Sequence, residues 1–307
     1  MTISTRRDVL RLLAAGLAGA LPARAAWPLT DGPRDSLRFV FYTDVHARTE
    51  WQTPEAMAMA ARAINARTPD LVIAGGDLIT DGFQSAATTV APRWDAYLEM
   101  QRAIRGRVEP VLGNHDLVAA IPEDGSEPAE DPRAEFRRRL GVDRTYRTFD
   151  AAGVRFLLLD SVEITGGELK YEGRIGDTQR AWIRDVLSAT DSDVPLVVCT
   201  HLPMLTAFYQ ATEGATSAAP ANRVVTDAGE TLALFRDHRL ALVLQGHLHV
   251  DEMLRWRDAT FITGGAVSGK WWRGSWHGTR EGFGVVTLRR DRVEWEYVHY
   301  GWTARRP

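Results

Sequence analysis

Five short motifs in this 307-residue sequence combine carboxylate, amide and imidazole side chains. Each motif alone is weak, because a strand-end Asp often caps a helix and a lone His is commonly a core or surface residue. All five, however, follow apolar, strand-like runs, which is where α/β proteins place their sites. In chain order the motifs are Asp44-Val45-His46, Gly76-Asp77, Gly113-Asn114-His115-Asp116, Thr200-His201-Leu202-Pro203 and Gly246-His247-Leu248-His249.

These side chains are typical ligands of divalent transition metals. Carboxylate, amide oxygen and imidazole suit Mn, Fe or Zn, whereas the lack of thiolates disfavours Cu(I) and structural zinc. Residues i and i+2 of an extended segment point the same way, so an extended backbone is predicted to bring Asp44 to His46 and His247 to His249. Two ions about 3.5–4 Å apart repel, and a bridging carboxylate and hydroxide would offset this. Such a site would attract a phosphate ester and supply a nucleophile at neutral pH.

The elements that must position these side chains follow an α/β pattern with a β-rich C-terminal end. Residues 203–225 show little periodicity, and loops of that length are usually functional or mobile. Strands are predicted at 37–43, 70–74, 108–112, 195–200, 240–244, 252–256, 260–263, 284–288 and 293–297, with a hairpin formed by 146–149 and 154–159. Helices are predicted at 54–66, 94–104, 178–188 and 231–236.

Composition sets limits on the fold and on the site. With 45% hydrophobic residues and 10 Trp, the chain can bury a substantial core. Its one cysteine, Cys199, excludes an internal disulfide and a Cys-rich metal site, and we predict that it is a buried strand thiol. Three tryptophans lie between Trp271 and Trp276, where they either line a substrate cleft or cap the core.

In this order, the five motifs resemble those of the calcineurin-like metallophosphoesterase superfamily, over about residues 38–249. The resemblance implies a four-layer α/β/β/α sandwich with two mixed sheets. It also implies two divalent transition-metal ions (Mn, Fe or Zn) held by seven ligands. Carried over by position, Asp44, His46 and His249 would hold the first ion, Asn114, His201 and His247 the second, and Asp77 would bridge them.

The resemblance gives two further residues a part in catalysis. His115 matches the family's non-ligand histidine, which contacts the phosphate and can protonate the leaving oxygen. Asp116 would interact with the ligand residues without binding a metal ion itself.

Departures from particular branches of the superfamily bear on the substrate. Purple acid phosphatases carry a Tyr ligand where this chain has Thr80, and protein Ser/Thr phosphatases have a phosphate-clamping Arg where this chain has Asp81. The length, the Gly-Asn-His-Asp motif and residues 146–161 look more like bacterial phosphodiesterases of the cyclic-nucleotide and glycerophosphodiester type. We therefore predict cleavage of a small phosphodiester by a metal-bridging hydroxide.

Two other functions remain open at this point. One is a phosphomonoesterase on the same scaffold, with Arg273 or Lys270 as a replacement cation. The other is a non-catalytic envelope protein that only binds metal or ligand, although such a protein would not need His115 as a leaving-group acid. A nuclease is disfavoured by predicted export and by a net charge that is already -3 for the whole chain.

Residues 1–25 resemble an export signal. Thr5-Arg6-Arg7-Asp8-Val9-Leu10-Arg11 is similar to the twin-arginine motif, and Ala23-Arg24-Ala25 offers a small-x-small cleavage site. The apolar run between them, 12–21, is shorter than the ~20 residues that span a bilayer. The sequence predicts a periplasmic or otherwise exported protein, a client of the twin-arginine machinery, with a single domain over 26–307 and no transmembrane segment. The alternative is a disordered or peripheral amphipathic N-terminus.

Overall fold

The computed structural model describes residues 36–290 and 292–305. The predicted export signal at 1–25 lies outside the described residues, so the signal and the domain boundary stay predictions. No helix in the described ranges has both the length and the apolar character needed to cross a bilayer.

Strands and helices alternate along the described part of the chain, as predicted. The strands are β1 (Ser36–Tyr42), β2 (Leu71–Ala74), β3 (Val108–Pro110), β4 (Arg147–Ala151), β5 (Val154–Leu158), β6 (Val162–Ile164), β7 (Tyr171–Gly173), β8 (Leu196–Cys199), β9 (Leu240–Gln245), β10 (Glu252–Trp256), β11 (Ala259–Thr263), β12 (Gly282–Arg289) and β13 (Val293–His299). The helices are α1 (Thr53–Ala66), α2 (Ala87–Ala103), α3 (Ala134–Leu140), α4 (Gly176–Ser188), α5 (Phe208–Glu213) and α6 (Ala228–Ala233).

Two mixed sheets form the centre of the fold. The first has the strand order β13-β12-β1-β2-β3, in which β1, β2 and β3 are parallel and the β12 and β13 pairings are antiparallel. The second has the order β10-β11-β9-β8-β5-β4, with antiparallel strands only at its two edges. A separate two-stranded ribbon is formed by β6 and β7. The two mixed sheets and the β-rich C-terminal end confirm the predicted fold class.

An apolar core lies between the two sheets. Phe39 of β1 meets Phe156 of β5 edge-to-face, with ring centroids 5.6 Å apart. Cys199, at the end of β8, belongs to this core and is fully buried, as predicted. Alternate residues of β1, β2, β8 and β9 point inward here: Leu37, Phe39, Phe41, Leu71, Ile73, Val197, Cys199, Leu242 and Leu244. The period of two places the intervening residues on the outer faces.

Helices cover those outer faces and complete the four layers. On the first sheet, the hydroxyl of Tyr42 lies 2.9 Å from that of Tyr97 in α2. On the second sheet, outward-facing Val198 joins the same apolar cluster as Ile183 and Leu187 of α4. Each sheet is therefore sandwiched between helices and the other sheet.

Helix α2 differs most from its prediction, because it begins at Ala87, seven residues before the predicted start. Pro92 lies inside it and removes one backbone donor. Val90, Trp94 and Tyr97 are all buried, so one apolar face runs across the proline and packing holds the helix together.

Candidate metal centre

The loops after five strands meet at one end of the two sheets. They follow β1, β2, β3, β8 and β9, which are the strands that the motifs were predicted to follow. The structure brings the side chains of these loops into three overlapping groups, and within each group the potential ligand atoms lie within 4.8 Å of one another. The groups are Asp44, His46 and His249; His46, Asp77 and His115; and Asp77, His201 and His247.

The two carboxylates each use one oxygen for support and turn the other toward the imidazoles. Asp44 Oδ2 accepts hydrogen bonds from Thr43 Oγ1 (2.8 Å) and from the backbone N–H of His247 (3.0 Å). Its Oδ1 lies 3.2 Å from His249 Nε2. Asp77 Oδ2 lies between two rings, 3.1 Å from His201 Nε2 and 3.7 Å from His46 Nε2. Asp77 therefore connects the last group, to which it belongs, with His46 of the first group.

Backbone carbonyl groups fix the orientation of two histidines. His201 Nδ1 lies 2.9 Å from the carbonyl oxygen of Gly75, and His249 Nδ1 lies 2.6 Å from that of Gly269. A carbonyl oxygen can only accept, so each Nδ1 carries a proton and each Nε2 points toward the cluster. Metal-binding histidines are usually held in this way.

The charge balance of the cluster favours a cation. Burial alone would raise the pKa of Asp44, but the rings of His249 and His201 lower it to about 2. Burial and the nearby His201 lower the pKa of His247 to about 3, so this ring is neutral. His201 has the opposite shift: despite burial, Asp77 and Asp44 raise its pKa to about 9. A positive charge is therefore stabilised at this point between the two carboxylates.

Several buried polar atoms here have no hydrogen-bond partner among the described residues. Leaving a buried polar atom unpaired costs about 1–3 kcal/mol, so a cluster of them indicates a missing ligand. A thiol-free set of carboxylate, amide and imidazole atoms fits a divalent cation. The unpaired atoms include Asp44 Oδ1, Asn114 Oδ1, His201 Nε2 and His247 Nδ1.

The backbone that carries these residues is not extended, and the prediction on this point was wrong. Five residues have left-handed φ angles: Asp44 (54°), His46 (45°), Asp77 (51°), His247 (70°) and His249 (59°). After β1 the chain bonds to the neighbouring loop, with the N–H groups of Asp44 and His46 donating to the carbonyls of Gly76 and Asp77. The paired side chains converge through these turns. Left-handed backbone at a non-glycine residue costs about 1–3 kcal/mol and is concentrated at functional sites.

His115 lies at the edge of the cluster with its ring oriented from behind. The backbone N–H of Asp81 donates to His115 Nδ1 at 3.1 Å. Nδ1 therefore carries no proton, and the ring proton is on Nε2, whose N–H can donate a hydrogen bond. The ring meets that of His46 edge-to-face at 4.8 Å, and the residue is only partly buried.

Asp116 holds two of the loops together and is fully buried. Its carboxylate accepts hydrogen bonds from the backbone N–H groups of Leu78 (2.7 Å), Ile79 (3.2 Å) and Gly113 (2.9 Å). Burial and the neighbouring Asp77 raise its pKa to about 8. Both oxygens face the backbone, so Asp116 connects the loop after β2 to the loop after β3.

The tryptophan-rich segment supplies both a core residue and a wall of the site. Trp272 is 1% exposed, and its Nε1 donates to the carbonyl of His46 at 3.0 Å. Trp271 is partly exposed, with its ring 4.6 Å from that of His249 and 5.7 Å from that of His46. It lines a pocket of about 320 Å³ beside the cluster. The other lining residues are Arg48, Trp51, Thr80, Asp81, Lys270 and Arg273.

Two arginines at the site, Arg223 and Arg48, were not predicted from the sequence. Arg223 Nη1 lies 3.5 Å from His247 Nε2, at the end of the aperiodic segment 203–225. Arg48 Nη2 lies 3.7 Å from Asp81 Oδ2, and Arg93 Nη1 lies 3.5 Å from the same oxygen. Neither Arg223 nor Arg48 belongs to a motif. The only sequence signal for Arg48 was its position two residues after His46.

Comparison with models of protein families shows which family the chain belongs to. The sequence model of the family described as calcineurin-like phosphoesterase matches residues 37–251, which is more than half of the chain. The chain belongs to the calcineurin-like phosphoesterase family. Membership of this family supports the prediction that the protein is a metal-dependent phosphoric ester hydrolase. The clusters of potential ligand atoms in this phosphoesterase are consistent with the binding of divalent metal ions. No curated protein sequence matches the chain.

Solved structures with a similar fold include proteins of different roles. A dimetal phosphatase from Danio rerio has a TM-score of 0.57 at 16% identity, covering 86% of this chain and 99% of that one. A purple acid phosphatase from yellow lupin (Lupinus luteus) also has a TM-score of 0.57, at 14% identity, covering 89% and 52%. GAP50, the anchor in the inner membrane complex of Plasmodium, has a TM-score of 0.54 at 17% identity, covering 87% and 86%. At these identities the likeness shows the fold alone.

Proposed function

We propose that this phosphoesterase uses two divalent transition-metal ions to hydrolyse a small phosphodiester. The observation that carries the proposal is the position of Asp77 Oδ2, which lies between His201 Nε2 and His46 Nε2 and belongs to two ligand groups. Asp44, His46 and His249 would hold one ion, Asn114, His201 and His247 the other, and Asp77 both. Bound ions would lower the pKa of water and offset the charge of the phosphate.

His115 would act on the leaving group. Its Nε2–H is available at the edge of the cluster, because Nδ1 already accepts a hydrogen bond from Asp81. A hydrogen bond donated by Nε2–H would stabilise the negative charge that develops on the departing ester oxygen, which then takes its proton from solvent. A protein that only binds metal does not need a histidine held in this way, which favours the enzyme over the non-catalytic alternative.

The pocket beside the cluster supports a diester. A diester has a second alcohol arm that needs space, and the pocket lined by Trp51 and Trp271 provides about 320 Å³. Arg48 and Arg93 both lie close to Asp81, so its negative charge is largely compensated. The support for a diester therefore comes from the shape of the pocket more than from the charge of Asp81.

Arg223 is the observation that favours the phosphomonoesterase alternative. Its guanidinium lies beside His247 and could form a bidentate pair with phosphate oxygens. A monoester dianion carries about one more negative charge than a diester and gains more from such a cation.

The diesterase and monoesterase functions can be distinguished by comparing kcat/KM for bis(p-nitrophenyl) phosphate with kcat/KM for p-nitrophenyl phosphate at the same metal loading. We expect the diester to be preferred, and Asp81→Arg to shift the ratio toward the monoester. Arg223→Gln should lower the monoester rate more than the diester rate, with Arg184→Gln, an exposed residue of α4, as the matched control. A clear preference of the wild type for the monoester would overturn the diester proposal.

A further inference from the structure

A second cavity, of about 610 Å³, lies at the opposite end of the sheets from the metal centre. It is lined by Leu240 and Ala241 at the start of β9 and by Ala259 at the start of β11. The ligand His247 follows the other end of β9. Five steps of about 3.3 Å along that strand separate the two ends by roughly 16 Å, so the cavity is not an extension of the catalytic site.

Arginines dominate the lining of this cavity, which we name the arginine groove. They come from the connection before β9, from the end of β10 and the β10–β11 turn, and from the end of β12 and the β12–β13 turn. Among the described residues that line it, Asp258 is the only carboxylate, whereas the whole chain has a net charge of -3. The seven arginines are Arg236, Arg239, Arg255, Arg257, Arg289, Arg290 and Arg292.

The ion pairs of the described residues account for only part of this positive charge. Glu294 pairs with Arg289 (3.1 Å) and Arg292 (2.8 Å), and so accounts for part of it. Arg236 and Arg255 are exposed and form no ion pair within residues 36–290 and 292–305. Like charges held around one concave surface strengthen the local potential, which attracts anions.

The groove also has an apolar floor and an aromatic wall. Phe235, Phe261 and Leu288 line it from the buried side, at 1–4% exposure. Trp256, at the end of β10, is 46% exposed, and the guanidinium carbon of Arg257 lies 4.6 Å from its ring centroid. A concave, partly apolar cavity of this volume suits a small molecule, whereas a bilayer surface would need a flat or convex face.

We propose that the arginine groove is a binding site for a small organic polyanion. The ligand would carry several phosphate, sulfonate or carboxylate groups on a body with an apolar or aromatic face. Guanidinium groups pair with such oxyanions through two parallel hydrogen bonds, and Trp256 offers a surface for the body of the ligand. The site is separate from the catalytic centre and does not depend on the proposed reaction.

The trisulfonated dye pyranine tests this site, because it has the required charge and aromatic body but no phosphoester bond. Its binding to the metal-loaded full chain is followed by fluorescence anisotropy. The double variant Arg236→Glu/Arg255→Glu should weaken binding by roughly tenfold or more, since two attractive contacts become repulsive. The matched control Arg102→Glu/Arg184→Glu changes the net charge by the same amount, at exposed positions of α2 and α4. It should leave the affinity for the dye unchanged.

Four results would overturn the proposal. The first is equal affinity of the groove variant and the wild type. The second is an equal loss in the control, which would show a response to net charge alone. The third is binding of the dye at the metal centre, which would be seen if inorganic phosphate displaced the dye and the groove variant bound it normally. The fourth is binding of vesicles that contain phosphatidylglycerol through the same arginines while the dye does not bind, which would make the ligand a lipid surface. Hydrolysis of p-nitrophenyl substrates should be the same in all variants.

Discussion

At the scale of single residues, Asp77 is the side chain on which both proposed ion positions depend. Its Oδ1 accepts the backbone N–H of His115 at 2.8 Å, and its Oδ2 faces His201 and His46. The carboxylate thus links the ligand groups to His115, the residue that would stabilise the leaving group. Replacing it changes more than one ion site.

Metal stoichiometry tests this role of Asp77. We expect about two ions per chain in the wild type, as in other paired-ion sites. Asp77→Ala should lower the affinity for both, whereas Asp44→Ala should mainly affect one, because Asp44 lies in a single ligand group. Elemental analysis after dialysis against Mn²⁺ or Zn²⁺ gives the stoichiometry. At most one ion in metal-replete wild type would contradict the dinuclear centre.

His115 should be separable from metal binding. His115→Ala should retain the metals and lose about 10²–10⁴-fold in kcat, with a smaller loss for substrates whose leaving group needs no proton. The control is His299→Ala, at the exposed end of β13. Loss of a metal ion from His115→Ala would instead make this residue a ligand.

At the scale of elements, close contacts between the site loops explain two of the three glycines that begin a motif. A Cβ at Gly113 would lie 2.1 Å from the backbone nitrogen of Asp77, and one at Gly246 would lie 2.9 Å from Asp44 Oδ2. Both contacts are shorter than van der Waals contact allows. The glycines therefore set the distance between loops that carry different ligands.

Gly113→Ala should push Asp77 out of place. We expect weaker metal binding and a loss of roughly 1–3 kcal/mol in the free energy of unfolding, the usual range for overpacking. The matched control is Gly229→Ala in α6, where nothing lies within 4 Å of an added Cβ. There alanine should stabilise the helix by up to about 1 kcal/mol. Metal titration and chemical denaturation give both quantities, and unchanged metal affinity in Gly113→Ala would refute this role of the glycine.

The elements also show what the sequence could predict. Periodicity located the strands before the motifs, because β1, β2, β8 and β9 are short runs of buried residues with polar residues beyond them. It did not predict the left-handed turns at Asp44 and Asp77, since these are stabilised by hydrogen bonds to loops distant in sequence. The β6–β7 ribbon was also missed, because two strands of three residues carry too little pattern.

At the scale of the whole molecule, the substrate depends on contacts that no motif contains. Arg223, Arg48 and Trp51 reach the site from segments without a recognisable pattern, and only the fold brings them to the ligands. The sequence could therefore predict a metal-dependent phosphoesterase but could not determine the environment of the ester arm. The residues that surround the ester arm can be identified only from the tertiary structure.

Export is a prediction about the whole chain and lies outside the described residues. Twin-arginine translocation moves folded proteins, so metals would be loaded in the cytoplasm, where competition from periplasmic zinc and copper is avoided. Changing Arg6-Arg7 to Lys-Lys should trap the precursor inside the cell. Fractionation with an activity assay measures this, and unchanged periplasmic activity would refute the prediction.

The burial of Cys199 between the sheets turns this residue into a reporter of unfolding. It is the only cysteine of the chain, and burial raises the pKa of its thiol well above the usual range. A thiol reagent such as 5,5′-dithiobis(2-nitrobenzoate) should therefore react only when the sheets separate, and its limiting rate should follow global opening of the protein. An engineered surface cysteine could then carry a spectroscopic label without background from the native thiol.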